Sequence, residues 1–477
     1  MPLPNHKTKI IATIGPASDS QVMLRRLIEA GLDVARLNFS HGDFTKHGDV
    51  ITRIRAASAA AGKSVTIMAD LPGPKMRVGK IDPEPIHLEP GKDFILTNEE
   101  ITGDARRVSM SFEALPRVVK PGDRLYLNDG LLKLVVDHVD GNDVHCKVVV
   151  GGELRSRKGL NLPGIDLGIS AFTDHDRACL EFALAHGVDA VSQSFVESAA
   201  DIRAVRAAAQ AMGKTPFVIA KIERREAIEN FDAILQAADG IMVARGDLGV
   251  EVAIEEIALT QKRLIAKANL AGRPVITATQ MLESMVFSRL PTRAEATDVA
   301  NAILDGTDCV MLSGESAVGQ YAVEAVEMLA KIAAATEAGR PQDGLSDIRA
   351  AARRHAPTTV AQALASVVEH ILETVPCAVV FVPSTSGTTA RMISRFKPAV
   401  WIGSLSNVEA VSQGLNFSYG VLPIRAAEIP KNWREYANNW CREQQQPGQV
   451  AVIISGPTAN HPDANNRIEF APVGMWT

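Results

Sequence analysis

Eight short apolar runs, at residues 9–14, 34–39, 65–70, 190–195, 217–223, 240–245, 274–279 and 309–313, each lead into polar or charged residues. Between most of them lie amphipathic stretches with helical spacing, at 20–30, 45–60, 199–212, 255–271 and 293–304. One helix start is spelled out, with Thr173 to Asp176 as a capping motif and Gly187 as a stop. A strand needs partners, and parallel strands need crossover helices, so this rhythm predicts a closed parallel (β/α)8 barrel. No other feature of the chain narrows the choice of fold so far.

The rhythm breaks after the third run. Residues 72–168 carry alternating runs at 124–127, 131–137 and 144–150, with Gly/Asp/Asn turns, and predict a small inserted β-barrel domain. Pro/Gly pairs at Leu71-Pro-Gly-Pro74 and Asn161-Leu-Pro-Gly164 bracket it and predict a double hinge. An insertion at the C-terminal end of a barrel strand sits on the catalytic face, so a lid is expected. From Gly339 a linker leads to helix, strand, Ser/Thr/Gly loop and further α/β units. The expected division is barrel at 1–71 and 169–340, lid at 72–168, and a C-terminal α/β regulatory domain at 341–477.

The net charge of −5 provides no basic field for nucleic acid, so any phosphate binding must be local. No apolar run reaches the roughly 18 residues that a membrane span requires. Five scattered cysteines without a C-x-x-C pair predict reduced thiols and a cytoplasmic protein.

The polar ends of the strands carry the chemistry. Side chains alternate faces along a strand, so Lys221 and Glu223 point the same way, as do Arg36, Asn38 and Ser40. A buried Lys–Glu pair is a poor stability device, which favours a site for phosphate and a hard cation. Asp247 adds a second carboxylate, and Glu223 with Asp247 suits Mg²⁺, with Mn²⁺ as a substitute. Gly246 and Asp247 precede a helix, where free amides attract anions. Asp70 ends the third run before Lys75 and Arg77, Thr277 and Thr279 are expected to share a face, and Ser313-Gly-Glu315 is a polar exit from the eighth. In the last domain Ser384-Thr385-Ser386-Gly387-Thr388-Thr389 joins a strand to a helix and could cradle a phosphate or merely cap that helix.

In this order the stretches Lys9–Pro16, Ala35–Gly42, Asp70–Arg77, Lys158–Gly164, Ile219–Glu223, Ala244–Gly249, Ala278–Met285 and Met311–Glu315 resemble the pyruvate kinase family. The resemblance spans the barrel and both edges of the lid. It implies glycolytic phosphoryl transfer from phosphoenolpyruvate to ADP, giving pyruvate and ATP. It further implies Arg36 and Lys221 on the phosphoryl group, Glu223 and Asp247 on Mg²⁺, and Gly246, Asp247 and Thr279 on the substrate carboxylate. Thr279, Ser313 and Glu315 are implied near the enolate carbon, Arg77 and Lys158 on the nucleotide, and Asp129 on the closing lid. Asn38, Ser40, Asp70 and the Leu71 carbonyl match the family's K⁺ position. Members that need K⁺ carry Thr after the aspartate and Glu where this chain has Lys75, so the resemblance is to the bacterial, lysine-containing type that works without K⁺. The Ser384–Thr389 loop matches the effector-phosphate site. Thr388-Thr389 stands where Arg-Ser is common, which favours a sugar monophosphate activator over fructose bisphosphate. A homotetramer is also implied.

Two other readings share some of these features. A Mg²⁺-enolate pyruvate lyase or aldolase on a barrel uses a similar metal pair and arginine, but has no need of Arg77 and Lys158 on a lid. A non-catalytic sugar-phosphate sensor has no need of the barrel residues.

Overall fold

The computed structural model describes residues 3–74, 76–128, 130–340, 350, 357–456 and 463–473. Lys75, Asp129 and most of the expected linker lie outside the described residues.

The eight runs form a closed barrel of parallel strands: Lys9–Thr13, Val34–Asn38, Thr66–Leu71, Ala190–Gln193, Phe217–Ile222, Gly240–Ala244, Val275–Ala278 and Cys309–Leu312. Each strand pairs with its neighbours in sequence, and the eighth closes on the first through pairs such as Lys9 with Cys309. Most strands end one or two residues earlier than the sequence suggests. Ser194, Phe195, Glu223, Thr279 and Ser313 have left the ladder and belong to loops on the C-terminal face, while Arg245 opens a short helix there.

Alternation sorts the side chains. One set, including Ile10, Ala12, Val218, Ala220 and Ile222, packs outward against the helices. The other set, Ile11, Val34, Met68, Ala190, Ile219, Met242, Ile276 and Met311, fills the barrel interior. By the same parity, the next inward positions on the second to fifth strands are Arg36, Asp70, Ser192 and Lys221, all buried. The barrel therefore changes from an apolar storey to a charged one along its axis.

The insertion forms a six-stranded sheet whose edge strands are Leu160–Asn161 and Arg107–Ser109, plus a separate two-stranded sheet. Arg77 bridges Gly159 and Val78 bridges Met110, so this segment reaches residues next to both edge strands. Its own apolar core runs from Met76 to Leu167. Short strands such as Ile86–Leu88 and Gly152–Leu154, with too few residues to show a period, are not legible in the sequence.

The C-terminal domain is a five-stranded sheet, ordered Val421–Arg425, Trp401–Ser406, Cys377–Pro383, Val450–Ser455, Arg467–Pro472, with only the last strand antiparallel. Its helix Trp433–Glu443 begins after an Asn432 cap. This domain docks on the N-terminal face of the barrel. Phe417 joins the interior apolar cluster and stacks on Phe217 with 5.1 Å between ring centroids. The Tyr419 amide donates to Asp308 Oδ1 at 2.9 Å, and Lys397 Nζ lies 2.7 Å from the same oxygen. All five cysteines are buried and unpaired by disulfide.

Candidate active site

The charged storey is held together by direct side-chain contacts. Arg36 Nε donates to Asp70 Oδ2 at 2.9 Å, its Nη2 reaches the same oxygen, and its Nη1 donates to Thr13 Oγ1 at 2.7 Å. Ser192 Oγ donates to Asp70 Oδ1 at 2.7 Å, and Lys221 Nζ lies 3.6 Å from that oxygen. Lys221 Nζ also donates to Ser194 Oγ at 2.6 Å and lies 3.3 Å from Glu223 Oε2.

These contacts fix the ionisation. Burial alone would raise the Asp70 carboxyl, but Lys221, Arg36 and the Ser192 hydroxyl overcome it and hold Asp70 below the usual carboxylate range. Burial would likewise lower the Lys221 ammonium, yet Asp70 and Glu223 together keep it above its ordinary value. Lys221 is thus a fixed cation at neutral pH, mostly buried at the edge of the cleft.

Glu223 lies just past the fifth strand. Its Oε1 accepts from the Phe195 amide at 2.6 Å. Its Oε2 is buried and accepts no hydrogen bond, the Lys221 contact being an ion pair without hydrogen-bond geometry. An orphaned carboxylate oxygen beside Asp247, with hard oxygen donors only, fits Mg²⁺, which takes one or two carboxylates and completes its shell with waters and substrate oxygens. Among the described residues there is no group of three or more His, Cys, Asp or Glu that could hold a metal by itself. The residues present fit a cation shared with a substrate.

Arg36, Asp70, Ser194, Lys221, Glu223 and Asp247 line one cleft of about 530 Å³. Asn38 and Ser40 line it too, the Ser40 amide donating to Asn38 Oδ1 at 3.0 Å. The opposite wall comes from the insertion: Arg77, Arg157, Lys158 and Asn161. The expected polar stripe on the second strand and the two lid cations therefore converge. Leu71 is fully buried and does not line the cleft, while Lys75 and Asp129 lie outside the described residues.

The seventh strand departs from expectation. Thr277 is in the barrel, its Oγ1 donating to Thr307 Oγ1 at 2.9 Å. Thr279 lies beyond the strand with φ +66°, so alternation does not place the two threonines on one face. Thr279 Oγ1 accepts the Gly246 amide at 2.8 Å, so that N–H is engaged rather than free. Gly246 and Asp247 lie inside the short helix Arg245–Glu251 rather than before it. Arg245 donates to the Thr279 carbonyl at 2.7 Å and pairs with Asp298 at 2.6 Å, holding the strained turn in place. Glu315 is fully buried, and its two oxygens accept the Leu282 and Ser313 amides at 3.1 and 2.7 Å.

Thr13, Ser192, Ser194 and Arg245 were not singled out by sequence. Ser192 and Ser194 carried a usable signal, since they share parity with Ala190 on a strand between two charged ones.

The Ser384–Thr389 loop lies apart, in the C-terminal domain. Ser384 Oγ accepts the Gly387 amide at 2.7 Å, Ser386 and Thr388 hydroxyls are 3.0 Å apart, and Arg391 donates to the Ser386 carbonyl at 2.9 Å. Thr385 and Ser386 are exposed, while Thr389 is partly covered. Gly387 has φ +74°, and a Cβ there would come within 2.8 Å of Arg391.

Known proteins resemble the chain along most of its length. The family model described as pyruvate kinase, barrel domain, matches residues 5–326, and the pyruvate kinase alpha/beta domain matches 362–469. A pyruvate kinase of Thermococcus litoralis is 50% identical over 428 residues, covering 89% of this chain and 90% of the relative. One from Clostridium acetobutylicum is 39% identical over 98% of this chain and 99% of its own. A crystal structure of a pyruvate kinase from Cryptosporidium parvum superimposes with a TM-score of 0.90 at 35% identity, over 98% of this chain and 97% of that one.

Proposed function

The chain belongs to the pyruvate kinase family, and on that premise we propose that it transfers the phosphoryl group of phosphoenolpyruvate to ADP, yielding pyruvate and ATP, as a cytoplasmic glycolytic enzyme. The observation that carries this reading is the charged storey. A cationic Lys221, clamped by Asp70, Glu223 and Ser194, faces a cleft whose far wall bears Arg77 and Lys158.

Phosphoryl transfer asks a protein for positioning and for neutralisation of spread negative charge. Arg36 and Lys221 supply two fixed cations for the moving group, already oriented by Asp70, so little reorganisation accompanies the reaction. Mg²⁺, when bound through Glu223 and Asp247, adds charge neutralisation and a template for substrate oxygens. Thr279 and the Gly246–Asp247 turn lie beside these ligands and suit the carboxylate, once substrate displaces the Thr279 hydroxyl from the Gly246 amide. Thr279, with Ser313 and Glu315, is assigned to protonation of the enolate. Arg77 and Lys158 hold the nucleotide phosphates from the lid formed by 72–168, with Asp129 riding on it. The barrel takes 1–71 and 169–340, and the regulatory domain 341–477.

K⁺ is not required in this reading. The oxygens of Asp70 are engaged by Arg36, Ser192 and Lys221, and the apolar Leu71 follows it, which supports Lys75 as the cation at the position shared by Asn38 and Ser40. Activation by a sugar monophosphate at Ser384–Thr389 in a homotetramer completes the proposal.

The test is pyruvate formation coupled to lactate dehydrogenase in K⁺-free Tris buffer. Turnover strictly dependent on ADP and Mg²⁺ is expected, and ADP-independent pyruvate release points instead to a lyase. Strong activation by added K⁺ sinks the Lys75 assignment. In the same assay, a sugar-phosphate panel that activates Ser384→Ala/Thr389→Ala as well as wild type sinks the effector loop.

A further inference from the structure

Arg224 directly follows Glu223 and is 1% exposed. It meets carboxylates from three elements. Its Nη2 lies 3.4 Å from Glu197, in the loop after the fourth barrel strand. Its Nε lies 3.3 Å from Glu226, in the helix Arg225–Glu229, and 3.9 Å from Glu251, which ends the helix Arg245–Glu251. The fourth contact differs in kind. Nη2 donates to the backbone carbonyl of Ile165 at 3.1 Å. Ile165 lies on the segment by which the chain returns from the insertion to the barrel, between Gly164 and Gly168, both at positive φ.

One ion pair would neutralise a buried guanidinium, and buried pairs contribute little net stability. A planar fork with five donors is suited to joining several elements at fixed angles, and an ammonium is not. Here the fork joins the element carrying Glu223, the helix carrying Gly246 and Asp247, and the return hinge of the insertion.

We propose that Arg224 is a positioning residue for the reaction: it anchors the lid's return hinge to the barrel elements beside the cleft, so that one side chain sets the seat of the lid. The proposal rests on reading 72–168 as a lid that brings Arg77 and Lys158 to the nucleotide. A loosened hinge then weakens nucleotide binding and leaves phosphoenolpyruvate, seated on the barrel, nearly untouched.

The test uses the full-length protein with Arg224→Lys, which keeps a cation among the glutamates but loses the fork. The expected result is a KM for ADP raised about tenfold, with the KM for phosphoenolpyruvate within about twofold of wild type, since remote misplacement acts on the part it positions. Amide hydrogen exchange across 163–168 is expected to quicken about tenfold as the local opening energy falls. If Arg224→Lys does not accumulate folded, the double variant Arg224→Met/Glu251→Gln, which removes a cation and a carboxylate together, is read for the same split. Wild-type exchange and an unchanged KM for ADP in a folded variant overturn the proposal, as does an equal rise of both KM values. If wild-type protein makes no pyruvate with ADP, the kinase reading fails, and the exchange measurement still decides the hinge.

Discussion

Lys221 is kept charged by its neighbours and not by water, which makes it the least replaceable side chain in the cleft. Lys221→Met is expected to lower turnover by about 10³-fold or more while circular dichroism stays native, because a preorganised cation has no substitute in a water-poor site. Ser192 supports it one step removed. Ser192→Ala leaves Asp70 Oδ1 short of a donor and is expected to destabilise by about 1–3 kcal/mol in urea unfolding. Glu197 gives a pH signature. Burial pushes its carboxyl from the ordinary 4.5 up to about 7, with Arg224 pulling it down and Glu226, Asp201 and Asp166 pushing it further up. The folded protein therefore holds a proton that the unfolded chain has released. The stability from this group is complete below pH 4.5 and is lost as pH rises through about 7. Glu197→Gln should raise Tm relative to wild type at pH 8 and hardly at all at pH 5; a difference that does not change with pH counts against the assignment. At this scale alternation alone made Arg36, Lys221 and Glu223 legible. It missed Ser192 and Ser194, since serine on a strand is usually unremarkable. It misplaced Thr279, since a residue at positive φ has left the strand on which alternation is defined.

The elements were legible where their chemistry is local. The Thr173 cap was written in the sequence, and the structure has the full reciprocal box, with Asp176 accepting the Thr173 amide at 2.9 Å. Not legible was the second task of Asp176. Its other oxygen accepts the Gly73 amide at 2.8 Å, which fastens the outgoing segment of the insertion to the start of this helix. Gly73 itself has φ +66°, and a Cβ there would come within 2.8 Å of the Phe195 ring. Such contacts join residues far apart in sequence and leave no period to read. Asp176→Asn turns one acceptor into a donor facing an amide. It is expected to lose about 1–3 kcal/mol in equilibrium unfolding, with faster proteolysis near Gly73. A variant that unfolds at the wild-type midpoint would remove the carboxylate from this role.

At the scale of the whole molecule, the fold class and the order of the barrel strands followed from the βα rhythm, because a parallel strand dictates its own crossover. The docking of the last domain did not follow. Phe417, Tyr419 and Lys397 meet Phe217 and Asp308 only after both domains exist, and no local pattern announces it. Phe417→Ala is expected to destabilise the protein by about 3–5 kcal/mol, since it empties the floor of the barrel interior. Calorimetry should show that loss in the transition of the barrel as well as in that of the C-terminal domain; a shift confined to the latter would argue that the barrel floor is complete without it.

Phe417 also sets a schedule. The first strand finds its closing partner only when Cys309–Leu312 has been made, and the floor it shares is sealed only by a residue of the C-terminal domain. On the ribosome the nascent barrel must therefore wait, ring open and floor unsealed, until most of the polypeptide has emerged. A growing chain of this kind exposes apolar strand surface until those residues are made, and surface of that sort is what chaperones shield.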